Sequence, residues 1–257
     1  MKEELQAFDK LLHIMDELRE KCPWDRKQTN ESLRTLTIEE TYELADAILE
    51  GNDEEIKKEL GDILLHVVFY SKIGSEKNSF GIADVLHGIS EKLIRRHPHV
   101  FGATDVRDHK EVEENWEQIK MKEGNKSVLS GVPKSLPALI KANRVQQKVR
   151  GVGFDWDERE QIWDKIDEEL QELKQEIKVD NQAEAEKEFG DLLFSVINAA
   201  RLYDIDPEIA LEKTNKKFIK RFKYLEKRTI SKGVSLKEMN LDEMNKIWEE
   251  AKAFDEE

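Results

Sequence analysis

Four carboxylates recur in this chain as a set, once in each half and with the same spacing. The sets are Glu40, Glu43, Glu59 and Asp62, and then Glu169, Glu172, Glu188 and Asp191. The step from the first to the third member is nineteen residues in both sets. Acidic residues that only keep a helix surface hydrated have no reason to hold such a register through a duplication. The spacing therefore favours a fold that brings these side chains together twice.

Each set is predicted to span two helices joined by a short turn. The turns are residues 51–53 and 179–181. Acids three residues apart share one face of a helix. In an antiparallel hairpin, Glu43 then lies level with Glu59, and Glu40 with Asp62, because each pair is equally far from the turn. If the two faces turn towards each other, four carboxylates converge on one point.

Other residues beside the acids carry local predictions. Thr37 is a plausible N-cap of a helix over about residues 38–50, and Glu40 would then close a capping box. The equivalent acid of the second half has no such cap. Gly61, like Gly190 in the second half, is expected to let the facing helix of the hairpin approach closely.

A cluster of four carboxylates is strained by like-charge repulsion unless protons or a cation neutralise it. A hard divalent ion does so, and an all-oxygen site with open positions suits Mg²⁺, with Mn²⁺ as the alternative. All eight acids are therefore candidate metal ligands. Solvated helix surfaces, in a chain that is 38% charged, would explain a single pair of acids but not two coupled pairs that recur.

The composition narrows the classes of function. The 257 residues include 56 acidic and 42 basic side chains, so the net charge is −14, and we expect no nucleic-acid binding. The single cysteine, Cys22, excludes an internal disulfide and a cysteine-based zinc site. The sequence has no apolar run long enough to span a membrane and no signal-peptide pattern at its start. We expect a cytoplasmic protein that does not associate with membranes.

The apolar periodicity is helical almost throughout, with only 12 Gly and 5 Pro, and predicts an all-α fold. The acidic hairpin, a basic helix and a tryptophan helix follow in the same order in both halves, so we expect two tandem helical modules. The N-terminal module is predicted at residues 1–125 and the C-terminal module at 138–257. Residues 126–137, which are rich in Gly, Ser and Pro, form the linker.

A basic helix follows each acidic hairpin. In the second half it carries Lys217 and Arg221, which are four residues apart and share a face. Lys92 and Arg96 hold the matching places in the first half. These cations can bind phosphate oxygens, or they can form a solvated face balanced by nearby acids. Trp248, close to the end of the second module, can stack on a base or cap the helical core.

Several signatures of other enzymes are absent. The sequence has no G-x-x-x-x-G-K-[ST] loop of a P-loop nucleotidase and no G-x-S-x-G nucleophile elbow. It has no E-x-x-H motif, which excludes a ferritin-like di-iron site in a helical bundle.

Three sets of motifs resemble the tandem-domain MazG nucleoside triphosphate pyrophosphohydrolases. They are E-E-x-x-E…E-x-G-D in both halves, C-P-W-D-x-x-Q-T at Cys22–Thr29 and R-R-H-P-H-V-F at Arg95–Phe101. The resemblance covers nearly the whole chain. It implies an all-α, Mg²⁺-dependent homodimer whose helical bundles are completed by dimerisation. It also implies cleavage of nucleoside triphosphates such as ATP between the α and β phosphates, to give the monophosphate and pyrophosphate.

Carried over residue by residue, the resemblance makes the second acidic set the metal ligands of a catalytic site, and the first set their counterparts. It assigns nucleotide binding to four positions, which are Lys165, Lys217, Arg221 and Trp248. Leu36 stands in the first module where the second has Lys165, so the second module is the expected working site. Glu168 is a spare acid there, as Glu39 is in the first module, and either could orient the attacking water.

Two alternatives to this function stay open at the level of sequence. A non-catalytic helical interaction protein could use the acidic hairpins to bind a basic partner. A pyrophosphohydrolase specialised for one modified or deoxy nucleotide, or for phosphoribosyl-ATP, would need the same acids. Dimerisation is expected under the enzyme hypothesis, because one hairpin cannot cover both its apolar face and its metal face.

Overall fold

A computed structural model of the chain describes residues 2–107, 127–231 and 235–253, and between them residues 111, 112, 115, 116 and 119. Within these residues the regular structure is helical and contains no strand, which confirms the predicted all-α fold. The chain divides into two compact units, Met1–Arg107 and Asp108–Glu257. The predicted modules 1–125 and 138–257 stay a prediction, because most of residues 108–126, around the predicted boundary, lie outside the described residues.

The first unit is organised around one long helical hairpin. Its helices are α1 (Lys2–Lys21), α2 (Pro23–Lys27), α3 (Asn30–Glu50), α4 (Asp53–Glu76), α5 (Ile82–Arg96) and α6 (Pro98–Phe101). Helices α3 and α4 form the hairpin, α1 packs against α4 and α2, and α5 packs against α4 and α6.

The second unit is organised in the same way. Its described helices are α7 (Ala138–Arg150), α8 (Gln161–Lys178), α9 (Gln182–Leu202), α10 (Pro207–Ile230) and α11 (Leu241–Lys252), with a short 3₁₀ turn at Leu236–Glu238. Helices α8 and α9 form the hairpin, α7 packs against α9 and α10, and α10 packs against α11. In the described part of the chain, no helix is both long enough and apolar enough to cross a bilayer.

Both hairpin turns lie where the sequence predicts them, and each contains one residue in the left-handed backbone region. Gly51 has φ of 65°, and its N–H closes α3 by bonding to carbonyls of the preceding turn. Asp180, between α8 and α9, has φ of 56°. Asp tolerates this conformation better than most residues, so the second turn manages without glycine.

Helix α3 begins earlier than predicted, and the predicted cap is wrong. Thr29 and Ser32 form the capping box, in which the Ser32 N–H donates to Thr29 Oγ1 over 3.2 Å. Thr37 lies inside the helix, where its hydroxyl donates to the Leu33 carbonyl. The reason is burial: Leu33 is almost completely enclosed in the core, which extends the helix back past Thr37. Glu40 is therefore not occupied by capping.

The apolar core of each unit lies along its hairpin. In the first unit it contains the buried residues Met15, Leu33, Val68, Phe69 and Ile73. In the second unit the buried residues include Ile162, Leu173, Ile197, Leu225 and Ile247. The core therefore covers one side of α4 and of α9, and the opposite side of each helix is not covered by it.

The prediction for Gly61 and Gly190 is wrong within the described chain. A Cβ added at either position would have no atom within 4 Å, so neither glycine faces the other helix of its hairpin. Both lie beside an apolar stripe that the unit leaves uncovered. The stripe residues, which are between 37% and 61% exposed, are Leu60, Leu64 and Val67 on α4 and Phe189, Leu193 and Val196 on α9.

A buried arginine ties the loop before α8 to helix α9. The Arg201 side chain is only 6% exposed, and its guanidinium donates two hydrogen bonds to the Asp155 carboxylate, one of them 3.0 Å long. It also donates to the Asn198 side chain over 2.9 Å. Burial of Asp155 favours its neutral form, but the hydrogen bonds and charge of Arg201 outweigh this effect and lower the pKa of Asp155. The contact between Arg201 and Asp155 is therefore an ion pair.

Candidate functional site

The first acidic set converges at the hairpin of α3 and α4. Carboxylate oxygens of Glu40, Glu43 and Glu59 lie within 4.8 Å of one another. Asp62, the fourth predicted member, is not part of this closest group. Partial burial, followed by the charges of Asp62, Glu43 and Glu59, raises the pKa of Glu40, so Asp62 lies close enough to act on the cluster.

The second set converges in the same way at the hairpin of α8 and α9. Oxygens of Glu169, Glu172 and Glu188 lie within 4.8 Å of one another, and Asp191 again stands just outside this group. Partial burial and the charges of Glu172 and Asp191 raise the pKa of Glu188. Like charges held this close oppose full ionisation unless a cation joins them.

The donor set fits a hard divalent cation. Glu59 is 3% exposed and its Oε2 has no hydrogen-bond partner among the described residues. Glu169, at the matching place in the second cluster, is 6% exposed. A buried carboxylate oxygen without a hydrogen-bond partner is costly, and an all-carboxylate ligand set is the type that Mg²⁺ or Mn²⁺ binds. The buried acid of each cluster is thus placed to serve as an inner ligand.

Lys165 is joined to the second cluster. Its Nζ lies 2.8 Å from Glu169 Oε1 and donates a hydrogen bond of 2.9 Å to Glu168 Oε1. Hydrogen bonds to Glu169 and then to Glu168 raise the pKa of Lys165, so the ammonium stays charged. Glu168 itself is exposed, on the outer edge of the cluster.

The predicted nucleotide residues of the later helices form a second group. The Arg221 guanidinium lies over the Trp248 indole, 5.6 Å from the ring centroid. Phe218 packs against the same indole with ring centroids 4.9 Å apart. Lys217 is exposed one turn before Arg221, and within the described residues no ion pair joins it to a carboxylate of the second cluster. Sequence reasoning missed Phe218, although an aromatic residue inside the basic run K-K-F-I-K-R was the available signal.

His66 lies on α4, one turn after Asp62 of the first cluster. It is 7% exposed, its Nδ1 has no hydrogen-bond partner among the described residues, and its ring packs edge-on against Tyr70. Burial lowers the pKa of His66, and the charge of Asp62 opposes that shift only in part. The second cluster has the buried Ser195 at this position, so the histidine is not common to both sites.

Comparisons with known proteins identify the family of the chain. A protein-family model described as the MazG nucleotide pyrophosphohydrolase domain matches the chain twice, at residues 28–101 and 158–225. Each match contains one complete acidic hairpin. The resemblance drawn from the motifs is therefore confirmed.

Relatives extend over the full chain. The nucleoside triphosphate pyrophosphohydrolase/pyrophosphatase MazG of Thermotoga maritima is 46% identical over 261 residues, covering 100% of both chains. The nucleoside triphosphate pyrophosphohydrolase of Escherichia coli K12 is 40% identical, over 96% of this chain and 98% of that protein. The uncharacterized protein YabN of Bacillus subtilis is 47% identical over 95% of this chain, which corresponds to 51% of YabN. The chain belongs to the MazG nucleotide pyrophosphohydrolase family and carries two copies of the family's domain in tandem.

Proposed function

We propose that the chain hydrolyses nucleoside triphosphates between the α and β phosphates, in a Mg²⁺-dependent reaction that releases the nucleoside monophosphate and pyrophosphate. The main support is the carboxylate cluster of α8 and α9 with the charged Lys165 at its edge. A triphosphate with its metal ion requires both acidic ligands for the cation and basic partners for the anionic oxygens. Family membership and the names of the Thermotoga and Escherichia relatives add further support.

The residues of the second cluster would divide the work. Those that would hold the ion are Glu169, Glu172, Glu188 and Asp191. Mg²⁺, or Mn²⁺ in its place, supplies Lewis-acid polarisation of phosphate oxygens when bound. Lys165, Lys217 and Arg221 bind anionic oxygens of the triphosphate, and Trp248 offers a ring face to the base. Glu168, exposed beside the buried acid, accepts a hydrogen bond from the attacking water and orients it.

The second module is the proposed working site. The first cluster has a complete set of acids, Glu40, Glu43, Glu59 and Asp62, but Leu36 replaces the lysine. Leu36 packs against the core of the first unit. The first module therefore has ligands for a cation but lacks one of the cationic partners for the triphosphate.

Product analysis tests the proposed reaction. The purified full chain is incubated with ATP, with and without Mg²⁺, and the products are separated by anion-exchange chromatography. AMP and pyrophosphate, formed only with the metal, are the expected products. ADP and phosphate would show that a different bond is cleaved. A panel of deoxy and modified nucleotides separates broad from specialised activity, and no turnover of any member would favour the interaction-protein alternative.

We also propose that the chain forms a homodimer through the exposed stripes beside Gly61 and Gly190. An apolar stripe that repeats at equivalent positions in both modules is unusual on a surface that faces water. The open space at each glycine would let a helix of a partner come close. Dimerisation would complete two helical bundles, each with its acidic hairpin.

Sedimentation velocity tests the dimer. The wild-type chain is expected to sediment with twice the mass of one chain. Leu193→Glu, in the middle of the α9 stripe, is expected to shift the population to monomer, because the charge would be buried without a partner. Leu241→Glu changes a more exposed apolar residue outside both stripes and is expected to leave the dimer intact. A wild-type monomer at micromolar concentration would contradict the proposal.

A further inference from the structure

The two acidic clusters differ in one contact that bears on their charge. In the second cluster the Lys165 ammonium touches both Glu168 and Glu169, at 2.9 Å and 2.8 Å. Its side chain is 34% exposed and that of Glu169 is 8% exposed, so much of this ion pair is shielded from water. One buried carboxylate of the metal set is therefore already neutralised by the protein.

The first cluster lacks this internal cation. Leu36 occupies the matching position and packs against the core, and its apolar side chain supplies no positive charge. Lys58 reaches Glu59 Oε1 over 3.0 Å, but its side chain is 61% exposed and it also lies near Glu55. The other oxygen, Glu59 Oε2, is buried and has no partner among the described residues. Among the described residues, therefore, no cation reaches this buried oxygen of the first cluster.

We propose that Lys165 is an internal counter-ion that competes with the divalent cation for Glu169 and then transfers to the substrate phosphates. Without nucleotide, the ammonium neutralises Glu168 and Glu169. When a divalent cation binds Glu169, like-charge repulsion drives the ammonium away from that carboxylate. The triphosphate gives it a new anionic partner. This inference rests on the proposed function and deepens it, because it makes Lys165 a positioning residue that couples metal binding to nucleotide binding.

The coupling follows from the charges. A cation that enters the second cluster alone must break the ion pair between Lys165 and Glu169. A cation that arrives with a triphosphate also breaks it, but the ammonium can then pair with a phosphate oxygen. The second cluster therefore binds metal weakly on its own and better with substrate. In the first cluster the contact of Glu59 is with the exposed Lys58, so the penalty is smaller and the cation binds more tightly in the absence of nucleotide.

Binding of Mn²⁺ alone tests this inference, followed through the electron paramagnetic resonance signal of the free ion. The second cluster is isolated in the full chain by Glu43→Gln and Asp62→Asn, which change exposed or half-buried ligands of the first cluster and spare the buried Glu59. In that background Lys165→Met removes the ammonium and keeps an unbranched side chain of nearly the same length. It is expected to tighten Mn²⁺ binding roughly fivefold to tenfold, as removal of one competing, partly buried ion pair allows.

Lys174→Met is the matched control. Lys174 is exposed on the same helix, and its removal changes the net charge equally, so it measures the long-range effect alone. Equal Mn²⁺ affinities of the two variants would overturn the role of Lys165. Absence of saturable Mn²⁺ binding in both variants would instead overturn the metal site on which the proposed function depends.

The reciprocal exchange adds a second test. With the second cluster disabled by Glu172→Gln and Asp191→Asn, Leu36→Lys is expected to weaken Mn²⁺ binding to the first cluster. Circular dichroism tests whether the variant folds, because Leu36 contacts the core. An unchanged affinity in a folded variant would contradict the competition. If Leu36→Lys does not fold, the comparison of Lys165→Met with Lys174→Met decides alone.

Discussion

Asp191→Asn is expected to lower kcat/KM for ATP by about 10³-fold, equivalent to about 4 kcal/mol of transition-state stabilisation. Asn keeps the shape of Asp but removes the charge that would hold the cation, and Asp191 acts on the same cluster as Glu188. The helical circular dichroism spectrum is expected to stay unchanged, because Asp191 is exposed. Pyrophosphate release at saturating Mg²⁺ gives the measurement.

Asp62→Asn is the matched control, at the equivalent position of the first cluster. It is expected to lower ATP turnover less than Asp191→Asn does, because the first module has Leu36 in place of the lysine. If the two variants lose activity equally, both modules contribute to the reaction. Full activity of the double variant would contradict a role of these carboxylates in catalysis.

Arg201→Met is expected to lower the free energy of unfolding of the second unit by about 3 kcal/mol, because it leaves the Asp155 carboxylate without its main partner. The corresponding fall in melting temperature is about 6–12 °C. Thermal denaturation of the full chain, followed by calorimetry, measures it. Arg159→Met, an exposed change on the same unit, is expected to stay within about 0.5 kcal/mol.

The destabilisation should depend on pH in a defined direction. The pKa of Asp155 is lowered in the folded chain, so its ionised form contributes stability above the unfolded-state pKa, and that contribution is lost as the pH falls through the folded-state pKa. The difference in melting temperature between wild type and Arg201→Met is therefore expected to narrow below about pH 4. A difference that widens in acid would contradict the ionised pair.

The acidic hairpins could be predicted because their geometry is encoded locally. Residues three apart share a helix face, and equal distances from a turn bring Glu43 level with Glu59. The cap of α3 could not be chosen in this way. Thr37 fits the local pattern of an N-cap, but the burial of Leu33 in the core extends the helix back to Thr29.

Features that depend on contacts between residues far apart in the chain could not be predicted from the sequence. Arg201 and Asp155 are 46 residues apart and no periodicity relates them. Whether Gly61 faces another helix depends on the rotation of α4 about its own axis when it packs against α1 and α3. A stripe of apolar residues does not specify that rotation. The contact between Lys165 and Glu169 was available from their spacing of four residues. A role in phosphate binding, however, did not reveal that the lysine also contacts Glu168.

The duplicated apolar stripes pose a problem of partner choice. If they pair, each hairpin can meet an identical hairpin or its copy from the other half, and selectivity requires a difference in affinity between these pairings. Two of the three stripe positions offer no such difference, since Leu64 corresponds to Leu193 and Val67 to Val196. Among the stripe residues, only Leu60 and Phe189 differ. Sorting of like from unlike hairpins would then depend on the fit of one aromatic ring.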